Sequence, residues 1–307
     1  MARMRGKDFD RALARRASRR GRHVTGYARV GTTGEDWTEI DELAQAVADE
    51  HCPAGRVEPG AIARAKGITV SFGHYEDAFD GMLEFLDGRF HVYVSVDRVG
   101  APDSPRARFT LAHELGHYYI DAHRLALMGG RATGHGSACE YESPDLAEGQ
   151  ADRFAANLLL PRARFLSAAR AATPGLPGVL ELAERFGVSV TAAAIRCAEC
   201  DVWPCAVVKW TWRGYAWKHV SSSVFRAGFR RTFESPADLP PDSPTRLALA
   251  HEPTPPPGFF QAGTTASAWL PGLDAADRRN IILIEQAIPL GRWGVLTFLH
   301  SPHRSGL

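Results

Sequence analysis

Arg108-Phe109-Thr110-Leu111-Ala112-His113-Glu114-Leu115-Gly116-His117 is the stretch on which the reading of this chain turns. Ser104-Pro105 stands just before it, a capping residue followed by proline at the first helical position, and the pattern predicts a helix over 106–120. Side chains four apart share a helix face, so His113 and His117 aim both imidazoles at one spot, as two ligands of one metal ion must. Glu114 lies between them in sequence and can reach a water at that spot as general base. The flanking Phe109, Leu111, Ala112, Leu115 and Ile120 are apolar enough to bury the helix. Buried ionisable groups need partners, and a metal supplies one.

A catalytic zinc site needs a third protein ligand and an open position for water. His123 follows His117 by six residues, the metzincin spacing, but that pattern also wants glycine where this chain has Ile120. It further wants a methionine turn well downstream, and the four methionines are Met1, Met4, Met82 and Met128. Glu148 is the preferred ligand. A second proline-started helix, Ser143-Pro144 leading into 145–160 and stopped by Pro161, puts Glu148 and Asp152 on one face. Ala151, Ala155 and Ala156 beside them permit close helix contact. A Glu-x-x-x-Asp helix opposite a His-Glu-x-x-His helix is the gluzincin arrangement, in which the glutamate binds zinc and the aspartate fixes the tautomer of a ligand histidine. His123, Asp145, Glu142 and His135 stay open as alternative ligands, because loop closure allows several geometries. Tyr141 and His135, in the predicted polar loop over 121–142, are candidate oxyanion-stabilising donors.

The two motifs together resemble the ImmA/IrrE metallopeptidases: Arg108 to His117, then Glu148-x-x-Ala151-Asp152-x-Phe154-Ala155-Ala156-x-Leu158-Leu159-x-Pro161. The upstream Ile62-Ala63…Gly67-Ile68-x-Val70 fits the same family, and the likeness continues more weakly through Leu182-Ala183…Phe186-x-Val188-Ser189. The resemblance implies zinc on His113, His117 and Glu148, with Glu114 as the base. It also implies an intracellular peptidase that cleaves a helix-turn-helix transcriptional repressor and so derepresses stress-response or mobile-element genes. Radiation-response members of the family carry a C-terminal GAF-like sensor domain as well.

The rest of the chain is read outward from this core. Helices are predicted over 38–50, with Ile40, Leu43, Ala44 and Val47 on one face, and after Pro59, stopping at Gly67. Strands are predicted over 68–72, 81–86 and 90–96, the last two joined by an Asp87-Gly88 turn. Residues 176–200 read as two short helices joined by Gly187-Val188-Ser189. Two hairpins follow, 205–212 with 215–220 and 281–288 with 293–300, separated by a Pro-rich loop. Six of the seven tryptophans lie beyond residue 200, which points to a separate aromatic core there. The expected fold class is therefore α+β, in four parts. These are a basic tail over 1–36, a gluzincin-like metallopeptidase domain over 37–165, a helix-turn-helix-like segment over 166–202, and a C-terminal α/β, GAF-like domain over 203–307.

Composition sets the outer bounds. With 307 residues, 45% hydrophobic and 23% charged, the chain is a globular protein of about two domains. Its apolar runs fall far short of the ~20 residues of a membrane span, and the basic N-terminus has no apolar h-region after it, so no membrane partner is expected. Five cysteines do not make a disulfide scaffold, and a cytoplasmic location is expected. Residues 1–30 hold ten Arg and Lys against two Asp, so with a total of +1 the remainder is net acidic. The basic tail could touch nucleic acid, but the second helix of the helix-turn-helix-like pair offers Arg196 as its only basic side chain, too little for base reading. Cys197-x-x-Cys200, with Cys205 nearby, reads as buried small residues or as a redox pair. A non-cleaving DNA-binding or signal-sensing regulator, and the peptidase half of a phage or toxin–antitoxin pair, are the competing functional readings.

Overall fold

The computed structural model describes residues 34–76, 78–130, 135–137, 145–221, 235–250, 258–270 and 281–302. The basic tail expected over 1–36 lies almost wholly outside these residues, as do Tyr141, Glu142, Ser143 and Pro144. The chain mixes helix and sheet, an α+β protein, and forms two compact units. The first takes the described residues up to Arg162 together with Phe186–Ser189; the second takes Ala163–Arg185 and the described residues from Val190 onward. Among the described residues no helix is long and apolar enough to cross a membrane.

The first unit opens with α1 (Gly34–His51) and α2 (Pro59–Ala65) and continues into strands β1 (Thr69–Gly73), β2 (Gly81–Leu86) and β3 (Arg89–Ser95). The expected α1 face is buried at Ile40, Ala44 and Val47. β2 and β3 form the expected antiparallel hairpin, with Asp87 and Gly88 both at positive φ as a tight turn requires. β1 runs parallel to β3, and the sheet order is β1-β3-β2-β4. A short turn, α3 (Val96–Val99), leads to α4 (Pro105–Tyr119), capped by the Ser104 hydroxyl, which accepts from the Ala107 N–H at 3.1 Å.

The stretch 121–142, expected to be loop, instead contains α5 (Asp121–Met128) and the edge strand β4 (His135–Ser137). α5 forms because His123, Ala126 and Leu127 fall on one face and bury it; eight residues with one histidine among few apolar groups give little periodic signal. The second long helix, α6 (Leu146–Leu159), starts one step later than expected. Asp145 is its cap, its carboxylate accepting from Ala147 N–H at 2.9 Å.

The second unit contains α7 (Arg162–Ala171) from Ala163 on, then α8 (Leu176–Phe186) and α9 (Val190–Glu199), the expected helical pair. An all-antiparallel sheet follows, made of β5 (Cys205–Thr211), β6 (Gly214–Val220), β7 (Phe260–Thr265), β8 (Ile282–Pro289) and β9 (Val295–His300) in the order β6-β5-β9-β8-β7. Both expected hairpin pairs are present. Besides two single turns (Pro236–Asp238 and Ala266–Trp269), two longer elements between the hairpin pairs were not expected. One is β7, whose Gln, Gly and Thr carry a weak strand signal. The other is α10 (Pro244–Leu249), which has the same Ser-Pro start as α4. Trp210 and Trp269 are buried in one cluster with Leu283, Val295 and Leu299, the expected aromatic core. Glu285 is buried among them and accepts from Ser243 Oγ at 2.5 Å, Thr245 N–H at 2.9 Å and Trp269 Nε1–H at 2.9 Å.

Arg108 closes the first unit. Its buried guanidinium donates to Glu58 at 2.7 Å, to the Gly187 carbonyl at 2.9 Å and to the Val57 carbonyl. Burial raises the Glu58 carboxyl, but Arg108 and Arg56 together bring it below its ordinary value. Arg108→Met keeps the volume, strips two carbonyls of this donor and leaves the Glu58 carboxylate with Arg56 alone. It is expected to cost roughly 3 kcal/mol in urea unfolding, against less than about 0.5 kcal/mol for an exposed arginine.

Candidate metal centre

The site is made where α4 and α6 cross. Gly116 permits the approach: a Cβ placed there would stand 3.0 Å from the Ala151 Cα and 3.2 Å from its carbonyl oxygen. The bare backbone eases this close approach, and the contact sets Glu148 one turn of α6 before it against the histidines of α4. α6 is held from behind by α1, where Arg153 donates twice to Asp41 (2.6 and 2.5 Å) and Asn157 Nδ2 donates to the same carboxylate at 2.8 Å.

At the crossing, His113 Nε2 and His117 Nε2 lie 3.1 Å apart, and the Glu148 carboxylate is 3.3 Å from the first and 3.2 Å from the second. All three residues are buried, and they are the one group of three or more such side chains among the described residues that could hold a metal ion. Ligand atoms about 2.0–2.1 Å from a tetrahedral zinc stand about 3.3 Å from one another. The two imidazoles and one carboxylate therefore fit a small ion in both donor type and spacing.

The outer nitrogens are also held. His113 Nδ1 lies 2.7 Å from Asp152 Oδ1. The carboxylate accepts the Nδ1 proton and leaves the Nε2 lone pair directed into the cluster. Burial raises the Asp152 carboxyl against the pull of His113. Burial likewise pushes His117 down to about 3 and lowers His123. Glu114 is fully buried on the same helix. A Cβ at Gly81 of β2 would meet Glu114 Oε1 at 2.6 Å and Thr110 Cγ2 at 2.5 Å, so the carboxylate lies directly against the β2 backbone.

Of the five residues the sequence places together, the structure brings His113, His117 and Glu148 within ligand spacing of one another and sets Asp152 against the outer nitrogen of His113; Glu114 is buried on the same helix, against Gly81. His123 is buried beside the cluster but faces the outer nitrogen of His117, at 3.2 Å. Asp145 is spent capping α6. His135 lies in β4, paired with Leu83, and its side chain is outside the described residues, as is Tyr141. Cys197 and Cys205 are buried, and burial raises the first thiol well above its ordinary value and the second to about 12. Thiols held protonated by burial accord with the reading as buried small residues. Arg196 is buried and paired with Glu199 at 3.2 Å. Sequence reasoning missed Gln150, two residues from Glu148, and the roles of Gly81 and Gly116; a glycine inside a helix or strand pattern is the signal of a close approach.

Residues 101–198 match the family model of the IrrE N-terminal-like domain of the M78 peptidases. That stretch is similar to an IrrE N-terminal-like domain. The matched stretch runs from α4 to α9 and includes every ligand candidate in the cluster. Among solved structures, a Mycobacterium tuberculosis transcriptional regulator has a similar fold, with a TM-score of 0.51 and 14% identity, covering 95% of this chain and 81% of that one. At that identity the likeness speaks for the fold alone. A search of the curated proteins finds no match.

Two outcomes test the geometry. Gly116→Val forces a branched side chain into the Ala151 backbone; a loss of about 2–3 kcal/mol in urea unfolding and of metal uptake is expected. An acid limit follows from His117. Unfolded histidine titrates near 6.5 and folded His117 only at about 3, so between these values the unfolded chain takes up a proton that the fold refuses. The metal-free protein is expected to lose stability as the pH falls from about 6.5 towards 3, and His117→Asn to flatten that slope in urea melts.

Proposed function

We propose that the chain is a zinc-dependent endopeptidase that cleaves a helix-turn-helix transcriptional repressor in the cytoplasm, derepressing stress-response or mobile-element genes. The observation that carries the reading is the buried triangle of His113 Nε2, His117 Nε2 and the Glu148 carboxylate, with the Glu114 carboxylate on the same helix. The M78 match supports peptidase chemistry, and the name of the similar Mycobacterium tuberculosis protein accords with a regulatory setting.

In this reading His113, His117 and Glu148 hold the ion, and Asp152 keeps His113 in the tautomer that offers Nε2. A bound zinc supplies a Lewis acid that acidifies a water and polarises the scissile carbonyl. Glu114 takes the proton of the attacking water on a carboxylate oxygen as the new C–O bond forms. It then passes that proton to the leaving amine as the C–N bond breaks. Gly81 leaves the space in which the Glu114 carboxylate sits. The domain boundaries belong to the same proposal: a basic tail over 1–36, the peptidase over 37–165, the helix-turn-helix-like segment over 166–202 and a GAF-like sensor over 203–307. The antiparallel sheet of the second unit supports the last of these. The burial of Arg196 leaves the second helix of the pair without an exposed cation among its described residues. That counts against DNA binding by a non-cleaving regulator.

Zinc content and cleavage of a candidate repressor, followed side by side, test the reading. Wild type is expected to hold one zinc per chain, and Glu148→Ala to lose both metal and cleavage. Glu114→Gln is expected to keep the metal and lose cleavage by about 10²–10⁴-fold; a Glu114→Gln protein that still cleaves overturns the assignment of the base. Gly81→Ala is expected to keep the metal while slowing cleavage, because the added methyl displaces the Glu114 carboxylate.

A further inference from the structure

We propose that His123 and Gln150 form a hydrogen-bond relay that fixes the tautomer of His117, with His123 a positioning residue behind a ligand. The inference rests on the metal-site reading and extends it to the second histidine. His117 Nδ1 lies 3.2 Å from His123 Nδ1, and His123 Nε2 lies 3.0 Å from Gln150 Oε1. His123 is buried.

The proton assignment follows from the far end of the chain. An amide oxygen can only accept, so the proton of neutral His123 sits on Nε2 and is donated to Gln150 Oε1. That leaves His123 Nδ1 as an acceptor. Its partner, His117 Nδ1, must then carry the proton and donate it. His117 Nε2 is then unprotonated, and this is the atom that faces His113 and Glu148 at 3.1 and 3.2 Å, three acceptors that a cation between them would satisfy. Both ligand histidines are thus set from outside, His113 by a carboxylate and His117 by a neutral pair, so only one negative charge is spent on the outer layer.

The backbone arranges this placement. On an unbroken helix, a residue six beyond His117 would lie about 240° around the axis and face away from it. The helix breaks at Ile120, whose extended backbone (φ −75°, ψ 110°) ends α4 and starts α5. The turn brings His123 back beneath His117. Gln150 comes from α6, two residues after Glu148, so the relay joins three helices.

The tautomers can be read in the metal-free protein by ¹⁵N NMR of the imidazoles. The expected result is a proton on His117 Nδ1 and on His123 Nε2; a proton on His117 Nε2 overturns the relay. Zinc affinity, measured by chelator competition, is the second readout. His123→Leu is expected to weaken binding by about 10–100-fold. His123→Asn restores an amide oxygen near the position of Nδ1 and is expected to recover most of that loss, and Gln150→Leu to weaken binding in the same direction. Unchanged affinity in His123→Leu overturns the relay, and so does a His123→Asn protein that keeps its urea stability but binds no better than His123→Leu. Wild type that shows the expected tautomers but takes up no zinc overturns the metal-site reading and the relay's part in it.

Discussion

The contact between Gly116 and Ala151 is the constraint on which the rest of the first unit depends. Neither residue carries any chemistry. Yet the distance between the backbones of α4 and α6 at this point decides whether a carboxylate on one helix can share an ion with two imidazoles on the other. The other supports serve the same spacing. The Arg153–Asp41 pair fixes α6 from the α1 side, and the polypeptide turn at Ile120 delivers α5 beneath the crossing. A side chain larger than hydrogen at position 116 would move ligands that lie several residues away from it in sequence.

Electrostatics follows from this packing. Two imidazoles and three carboxylates, those of Glu114, Glu148 and Asp152, are taken out of water within one helix crossing. Burial alone would favour their neutral forms, and the depressed His117 and raised Asp152 follow that rule. A divalent ion reverses the balance, because it favours neutral imidazoles and ionised carboxylates at once. The unit thus carries a standing cost when empty, which a bound metal would offset; affinity and fold stability would then be linked through the same atoms.

Much of this was legible in the sequence because the site is written on two regular helices. A four-residue spacing is a geometric statement on a helix, so His113 with His117 and Glu148 with Asp152 could each be placed on a face. Facing the two helices towards each other drew on the alanines around Asp152; the part that Gly116 plays in the crossing did not enter that reading. The parts that could not be read depend on a break in regularity. α5 falls where the sequence predicts loop, and the sequence alone does not orient His123, because the bend at Ile120 has no strong local signal. Asp145 caps α6 one step beyond the predicted Ser-Pro start, since Ser and Asp are both good caps and the local sequence does not choose between them. In the second unit, α10 was missed although it opens with the same Ser-Pro pair as α4, because the many prolines around it suggested loop; β7 was missed because its pairing with β8 is decided by partners far off in sequence.

The reach of Arg108 to Gly187 has a consequence for the order of events during synthesis. The first unit is not a continuous run of chain: its main stretch ends at Arg162 and its last residues are Phe186–Ser189. A ribosome that has released α6 has made every candidate ligand but not the carbonyl that receives the Arg108 guanidinium. Until Gly187 emerges, the N-terminal end of α4 holds a buried cation short of one acceptor. The unit therefore reaches its final stability only after the first helix of the following pair has been made, and its maturation is timed by sequence that lies outside it.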